Sequence, residues 1–224
     1  MTACSMFLGR SSTFLLTDQV ATDDDGMVTA LLDKLIVSDR LKIAAVISGR
    51  NSMMFDGKLD DPAFDEVSDL FQRASTVDEV RAGLPDAIRR AWQQIEGWKH
   101  RLPIVLQGYF ALWSGRPDAW IIGGPDHRFA GLEPYTVAPI DAVAQPPVDR
   151  ALWPPQGRDL TPRIACKLIE QQRRTPSDWG AFTVGGAAEL VTVDATGIHR
   201  QIIRRWPDRV GRKIDPRPWW KQMI

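Results

Sequence analysis

The run Phe14-Leu15-Leu16-Thr17 ends in Asp18, and Asp23-Asp24-Asp25-Gly26 follows shortly after it. Carboxylates gathered at one turn repel each other. A hard cation with oxygen ligands, Ca²⁺ or Mg²⁺ in its place, offsets that cost, as do helix N-terminal amides. In an α/β protein the turn lies at the carboxyl end of a strand, where ligands bind. Three acids plus Asp18 exceed what a helix cap needs, so the pattern points to a metal-assisted site. The tetrapeptide Asp23-Asp24-Asp25-Gly26 also matches a phosphatase-type pattern. That chemistry places its nucleophilic Asp directly at a strand end. Here Gln19 to Thr22 intervene, so the phosphatase reading ranks lower.

The elements that must position these residues follow from hydrophobic periodicity. Residues 1–12 read as a loose lead-in and Thr13 to Thr17 as a first strand. Met27, Val28, Leu31, Leu32, Leu35 and Ile36 form a helical stripe, and Leu41 to Ile47 a buried strand. Strand, helix, strand in this order predicts a right-handed βαβ unit. Residues 53–63 read as a loop. Thr76-Val77-Asp78-Glu79 is a capping box that opens a helix bearing Val80, Leu84, Ile88, Trp92 and Ile95. Strands are expected at Pro103 to Gln107, Ala119 to Ile122 and Tyr135 to Ile140. Residues 144–161 read as a Pro-rich connection, and Thr161-Pro162 as the start of a helix through Gln171. A hairpin pairs Leu190 to Val193 with Ile198 to Ile203. The expected class is α/β: a Rossmann-like, mainly parallel sheet flanked by helices.

The 224 residues are 44% hydrophobic and 25% charged, with zero formal net charge. This composition suits one soluble α/β domain and gives no global drive toward nucleic acid or anionic membrane. No apolar run approaches a membrane span. Cys4 and Cys166 show no metal-type spacing and suggest free thiols in a reducing compartment. With no secretory leader read at the N-terminus, a cytoplasmic location is expected. The chain divides into a domain over 1–203 and a basic, Trp-rich tail over 204–224. Arg204, Arg205, Trp206, Arg217, Trp219 and Trp220 fall in that tail. Such a tail offers contact area to its own domain or to a partner subunit. A homo-oligomer contact through it is therefore expected, rather than nucleic-acid binding.

The order of features resembles the inosine–uridine nucleoside hydrolase superfamily, as a divergent, shortened member. Thr17-Asp18 and Asp24-Asp25 resemble that family's acidic turn, with Asp23-Asp24 as the alternative register. Ser48-Gly49-Arg50-Asn51 resembles its Gly-Asn strand end, and Trp120 to Gly124 its apolar strand ending in Gly-Gly. Ser177-Asp178-Trp179 sits where the family carries His-Asp. The family's Glu-Asn…Asp segment after Gly-Gly is absent, and its Gly-Pro-Leu-Thr-Asn turn is replaced by Tyr109-Phe110-Ala111-Leu112.

The resemblance implies a Ca²⁺-dependent hydrolase of N-ribosidic bonds acting on a nucleoside or related ribosyl compound. Asp18 would be both metal ligand and base for the bound water. Asp24 and Asp25 would bind the metal, Asp24 also the sugar hydroxyls, and Asn51 a ribose hydroxyl. Asp178 would complete the cage. Read from the residues alone, Asn51 is equally a turn residue and Asp178 an N-cap. The missing middle segment keeps a non-catalytic nucleoside- or sugar-binding or scaffold protein as the alternative.

Overall fold

The computed structural model describes residues 3–49, 53–55, 58–96, 105–127, 129–155, 157–177 and 180–217, with backbone alone at 53–55 and 58–60. Every strand pairing in it is antiparallel. The first strands are Cys4–Leu8 (β1), Ser12–Asp18 (β2), Val20–Thr22 (β3), Val28–Leu31 (β4), Leu35–Ser38 (β5) and Ile43–Gly49 (β6). A small hairpin, Met53–Phe55 (β7) and Lys58–Asp60 (β8), precedes helices Pro62–Arg73 (α1) and Val77–Glu96 (α2). Strands Leu106–Trp113 (β9), Pro117–Gly123 (β10), Ala138–Pro139 (β11) and Ala142–Gln145 (β12) follow, then helix Pro162–Arg174 (α3). The hairpin Ala187–Asp194 (β13) and Gly197–Arg205 (β14) closes the set of strands.

Two five-stranded sheets result, ordered β12-β1-β2-β13-β14 and β11-β10-β9-β6-β5. The period of two along each central strand stacks them as four layers. Leu15 of β2, Val46 of β6, Tyr109 of β9 and Val191 of β13 meet between the sheets. Their neighbours point outward. Phe14 and Leu16 pack with Leu168 and Ile169 of α3. Ile43, Ala45, Phe110 and Leu112 pack with Val67 of α1 and Leu84, Ile88 and Ile95 of α2. Strands buried on both faces read as continuous apolar runs, which is why β2, β6 and β9 carry so few exposed positions.

Helix starts follow local chemistry. Asp61 accepts from the Phe64 amide and Thr161 from the Ile164 amide, each with Pro next in the chain. Thr76 accepts from the Glu79 amide while the Glu79 carboxylate reaches back to the Ser75 amide, one residue before the cap, a variant of the capping box.

The parallel, Rossmann-like architecture expected from the sequence is thereby corrected. Met27 to Val37 is not a helix: it contributes β4 and β5, and Leu35 pairs with Val46. The two strands expected to flank it, β2 and β6, lie in different sheets, so no βαβ crossover exists between them. Residues 4–8, expected in a loose lead-in, form β1, with Cys4, Ser5, Met6 and Phe7 all buried.

Candidate active site

β2 ends at Asp18, which is 0% exposed. Its strand partners place it opposite Ala188 of β13 and one step beyond the Thr17–Cys4 pair with β1. A carboxylate in such a position needs strong partners, and the surrounding backbone and one cation supply them. Oδ1 accepts from the Ala3 amide at 3.0 Å and from Lys34 Nζ at 2.9 Å. Oδ2 accepts from the Gly185 amide at 3.1 Å and the Val20 amide at 3.3 Å. Thr17 adds a second tie to the same corner by donating its hydroxyl to the Ala3 carbonyl at 3.1 Å.

Lys34 reaches this corner from the link between β4 and β5, and its side chain is only 7% exposed. Burial pushes its pKa below the ordinary lysine value, while the charge of Asp18 and the hydrogen bond to it push back. The Cys4 thiol is raised well above its usual range, by burial first and by Asp18 second, with Lys34 opposing. Ammonium, carboxylate and thiol thus share one buried electrostatic environment at the start of β1.

The link that carries Lys34 is fixed at both ends. The Leu32 amide donates to the Gln19 carbonyl, and the Asp33 carboxylate takes the Leu35 amide. Arg200 of β14 bridges Asp33 and Glu189, and those two carboxylates raise its already high pKa further. A register shift in β13 between Ala188 and Glu189 lies beside Asp18. A bulge of this kind re-aims side chains at the rim of a sheet.

The residues expected to act together are separated. Asp23, Asp24 and Asp25 are exposed at the tip of the β3–β4 hairpin, whereas Asp18 is buried. There Asp23 Oδ1 accepts the Asp25 and Met27 amides at 3.0 and 2.8 Å, and Gly26 adopts the positive φ the turn needs. Asn51 and Asp178 lie outside the described residues. Among the described residues no group of three or more His, Cys, Asp or Glu side chains is placed to hold a metal ion, which corrects the metal-binding expectation.

Lys34, Gly185 and the elements behind Gly185 were not singled out from sequence. The available signal was a lysine inside the apolar stretch Leu31-Leu32-Asp33-Lys34-Leu35-Ile36. A lysine buried among such neighbours requires a counter-charge.

No protein-family model matches this chain. No curated protein matches it either. Among solved structures, the Anbu (Gly-1) mutant from Hyphomicrobium sp. strain MC1 is similar over 91% of this chain and 87% of that one. The TM-score is 0.59 and the sequence identity 14%. At that identity the likeness shows a shared fold and no more, built in this chain of antiparallel sheets. With the antiparallel pairing of the described strands, it overturns the resemblance to nucleoside hydrolases, which implies a mainly parallel sheet. No helix of the described residues is long and apolar enough to cross a membrane.

Proposed function

We propose that this protein is an amide-bond hydrolase whose nucleophile is the hydroxyl of Thr2, working with the Lys34–Asp18 pair. The observation that carries the reading is the buried pair closed on the Ala3 amide. Thr2 is the residue joined to that amide, and although its own position lies outside the described residues, the peptide bond keeps it next to Ala3. The fold shared with Anbu adds support at the level of architecture alone.

The chemistry needs a nucleophile activated by a neighbouring base. The Thr2 oxygen attacks the substrate carbonyl carbon and passes its proton to the free Thr2 α-amino group. The carbon–nitrogen bond then breaks, and the leaving amine takes that proton. Water cleaves the resulting ester, releasing the acid and restoring the hydroxyl. Lys34 contributes a nitrogen whose proton affinity is lowered by burial, held on the same Asp18 oxygen that accepts the Ala3 amide. Asp18 holds that nitrogen in place.

The reading requires a free α-amino group on Thr2. Intact-mass measurement of the purified protein must therefore find a chain starting at Thr2. Fluorogenic peptide amides must be cleaved by that species, and Thr2→Ala must abolish cleavage. A chain that starts at Thr2 but cleaves nothing across a broad peptide library, or full activity in Thr2→Ala, overturns the assignment. An unprocessed, inactive chain makes the fold a non-catalytic scaffold.

A further inference from the structure

Behind Asp18 lies a second buried ion pair. Arg173, in the last turn of α3, is 2% exposed and Asp208 is 6% exposed. The pair is bidentate, with Nη1 to Oδ2 and Nη2 to Oδ1 both at 2.8 Å. Each Nη also donates to backbone: Nη1 to the Val184 carbonyl at 2.7 Å and Nη2 to the Asp215 carbonyl at 2.8 Å. Its guanidinium stacks over the Trp206 ring, with 4.8 Å to the centroid. A planar guanidinium is suited to such multiple, directional bonding.

What this pair holds is the loop that holds Asp18. Asp208 Oδ2 accepts the Gly186 amide at 2.8 Å, and the adjacent Gly185 amide donates to Asp18 Oδ2 at 3.1 Å. Both glycines resist replacement, Gly185 by collision and Gly186 by its left-handed backbone. A Cβ on Gly185 would stand 2.4 Å from Asp208 Oδ2 and 2.9 Å from Arg173 Nη1, and Gly186 has φ +72. The chain after β14 is anchored to the site's other wall as well. Val28 donates to the Arg212 carbonyl, Gly211 to the Val28 carbonyl and Ile214 to the Gly26 carbonyl.

We propose that the Arg173–Asp208 pair is a positioning device for the Asp18–Lys34 pair, acting through the adjacent Gly185 and Gly186 amides. The segment 206–215 is then a strap that fixes the geometry of the site, rather than a tail. The inference deepens the proposed hydrolase reading, but it concerns the state of Lys34 and can be tested without turnover.

The groups facing Lys34 are Asp18 from β2 and Cys4 from β1. Asp33 beside it is held by Arg200 of β14, which also binds Glu189 of β13. Loosening the 183–186 loop lets water reach Lys34 and relieves the burial that disfavours its charge.

The experiment is nuclear magnetic resonance of lysine-labelled protein, following the Lys34 Nζ titration in wild type, Asp208→Asn and Arg173→Lys. The expected result is an upward shift of the Lys34 pKa in both variants, with at least tenfold faster hydrogen exchange at Gly185. Exchange at core amides of β6 and β9 should be unchanged. An unchanged or downward-shifted Lys34 titration in folded variants overturns the proposal and leaves the pair merely structural. Should neither variant fold, wild type still decides. Under native-state exchange, the Gly185 and Gly186 amides must open in one event with one denaturant dependence, and separate openings overturn the coupling. A wrong nucleophile assignment would show instead in Thr2→Ala activity, leaving the Lys34 shifts intact.

Discussion

Asp18 and the Asp23–Asp25 turn are close in sequence and alike in chemistry, yet the fold gives them opposite environments. Asp18 is fully buried and accepts four donors, one of them a buried ammonium. The three turn acids are exposed, and Asp23 spends an oxygen on organising its own hairpin. What separates them is one short strand. β3 carries the chain from the sheet interior out to solvent, and β4 returns it to deliver Lys34. Carboxylate density in the sequence therefore marks the hairpin tip, while the electrostatic stress sits at the isolated acid before it.

The sharpest way to break this comparison is to remove the cation. Lys34→Ala leaves the Asp18 carboxylate buried without its counter-charge. The expected loss is about 3–5 kcal/mol of unfolding free energy, the cost of breaking a buried pair from one side. Urea titration measures it. A loss below about 1 kcal/mol would mean that the three backbone amides alone hold Asp18.

Gly185→Ala should come next. Its new methyl would strike an oxygen of Asp208 and a nitrogen of Arg173, two atoms locked to each other at 2.8 Å. Neither is a flexible end that can swing away, so about 1–3 kcal/mol is expected. Peptide-amide cleavage should fall with it, because the displaced amide is one that orients Asp18. Stability at the wild-type value would show that the loop yields freely and that the strap is not rigid.

The pH dependence of stability separates the members of the buried cluster. The folded Lys34 pKa lies below the unfolded value of about 10.5. Between those two values the unfolded chain binds a proton that the folded chain does not, so stability rises with pH through that window. Cys4 acts in the opposite sense. Its folded pKa lies above 9.0, so above 9.0 the unfolded thiol loses a proton that the folded one keeps, and stability falls. Urea midpoints measured from about pH 7 to about pH 10 should rise less steeply in Lys34→Met than in wild type. In Cys4→Ala the rise should continue undiminished above pH 9.0, where in wild type the thiol opposes it. Parallel profiles in all three proteins would remove both groups from the linkage.

How much of this could be read from the chain depends on which physical signal each element carried. β2, β6, α2, α3 and the β13–β14 hairpin are set by local pattern. They combine apolar runs, a capping box, a Thr-Pro helix start and a Gly-containing turn, and all stand close to where those signals put them. β4 and β5 were misread because Val28, Leu35 and Ile36 fit a helical stripe and a pair of half-buried strands equally well. Pairing of Leu35 with Val46 across the sheet decides between them, and that contact is non-local. Leu31, assigned to the buried stripe, is 53% exposed. Helix α1 was missed although Asp61-Pro62 is a sound N-cap signature. Parallel and antiparallel sheets share the same alternation of apolar runs, so strand direction was not legible at all. The candidate site was half legible: Asp18 stands out as an acid at a strand end, but Lys34 and Gly185 reach it only through tertiary structure.

The smallest effects belong to the hairpin tip, and they test whether its acids matter at all. Asp23→Ala removes an acceptor for two amides and should cost about 1 kcal/mol, as other lost caps do. Asp24→Asn and Asp25→Asn leave the turn's backbone bonds in place and should change stability by less than about 0.5 kcal/mol, the usual range for exposed substitutions. Millimolar Ca²⁺ should leave the melting temperatures of wild type and both Asn variants unmoved, because a ligand binding only the folded state would raise them by mass action. A Ca²⁺-dependent rise in wild type that is lost in Asp24→Asn would show that the hairpin tip recruits a cation. The contrast between the buried acid and the exposed ones would then be one of two candidate sites rather than of a candidate site and a turn.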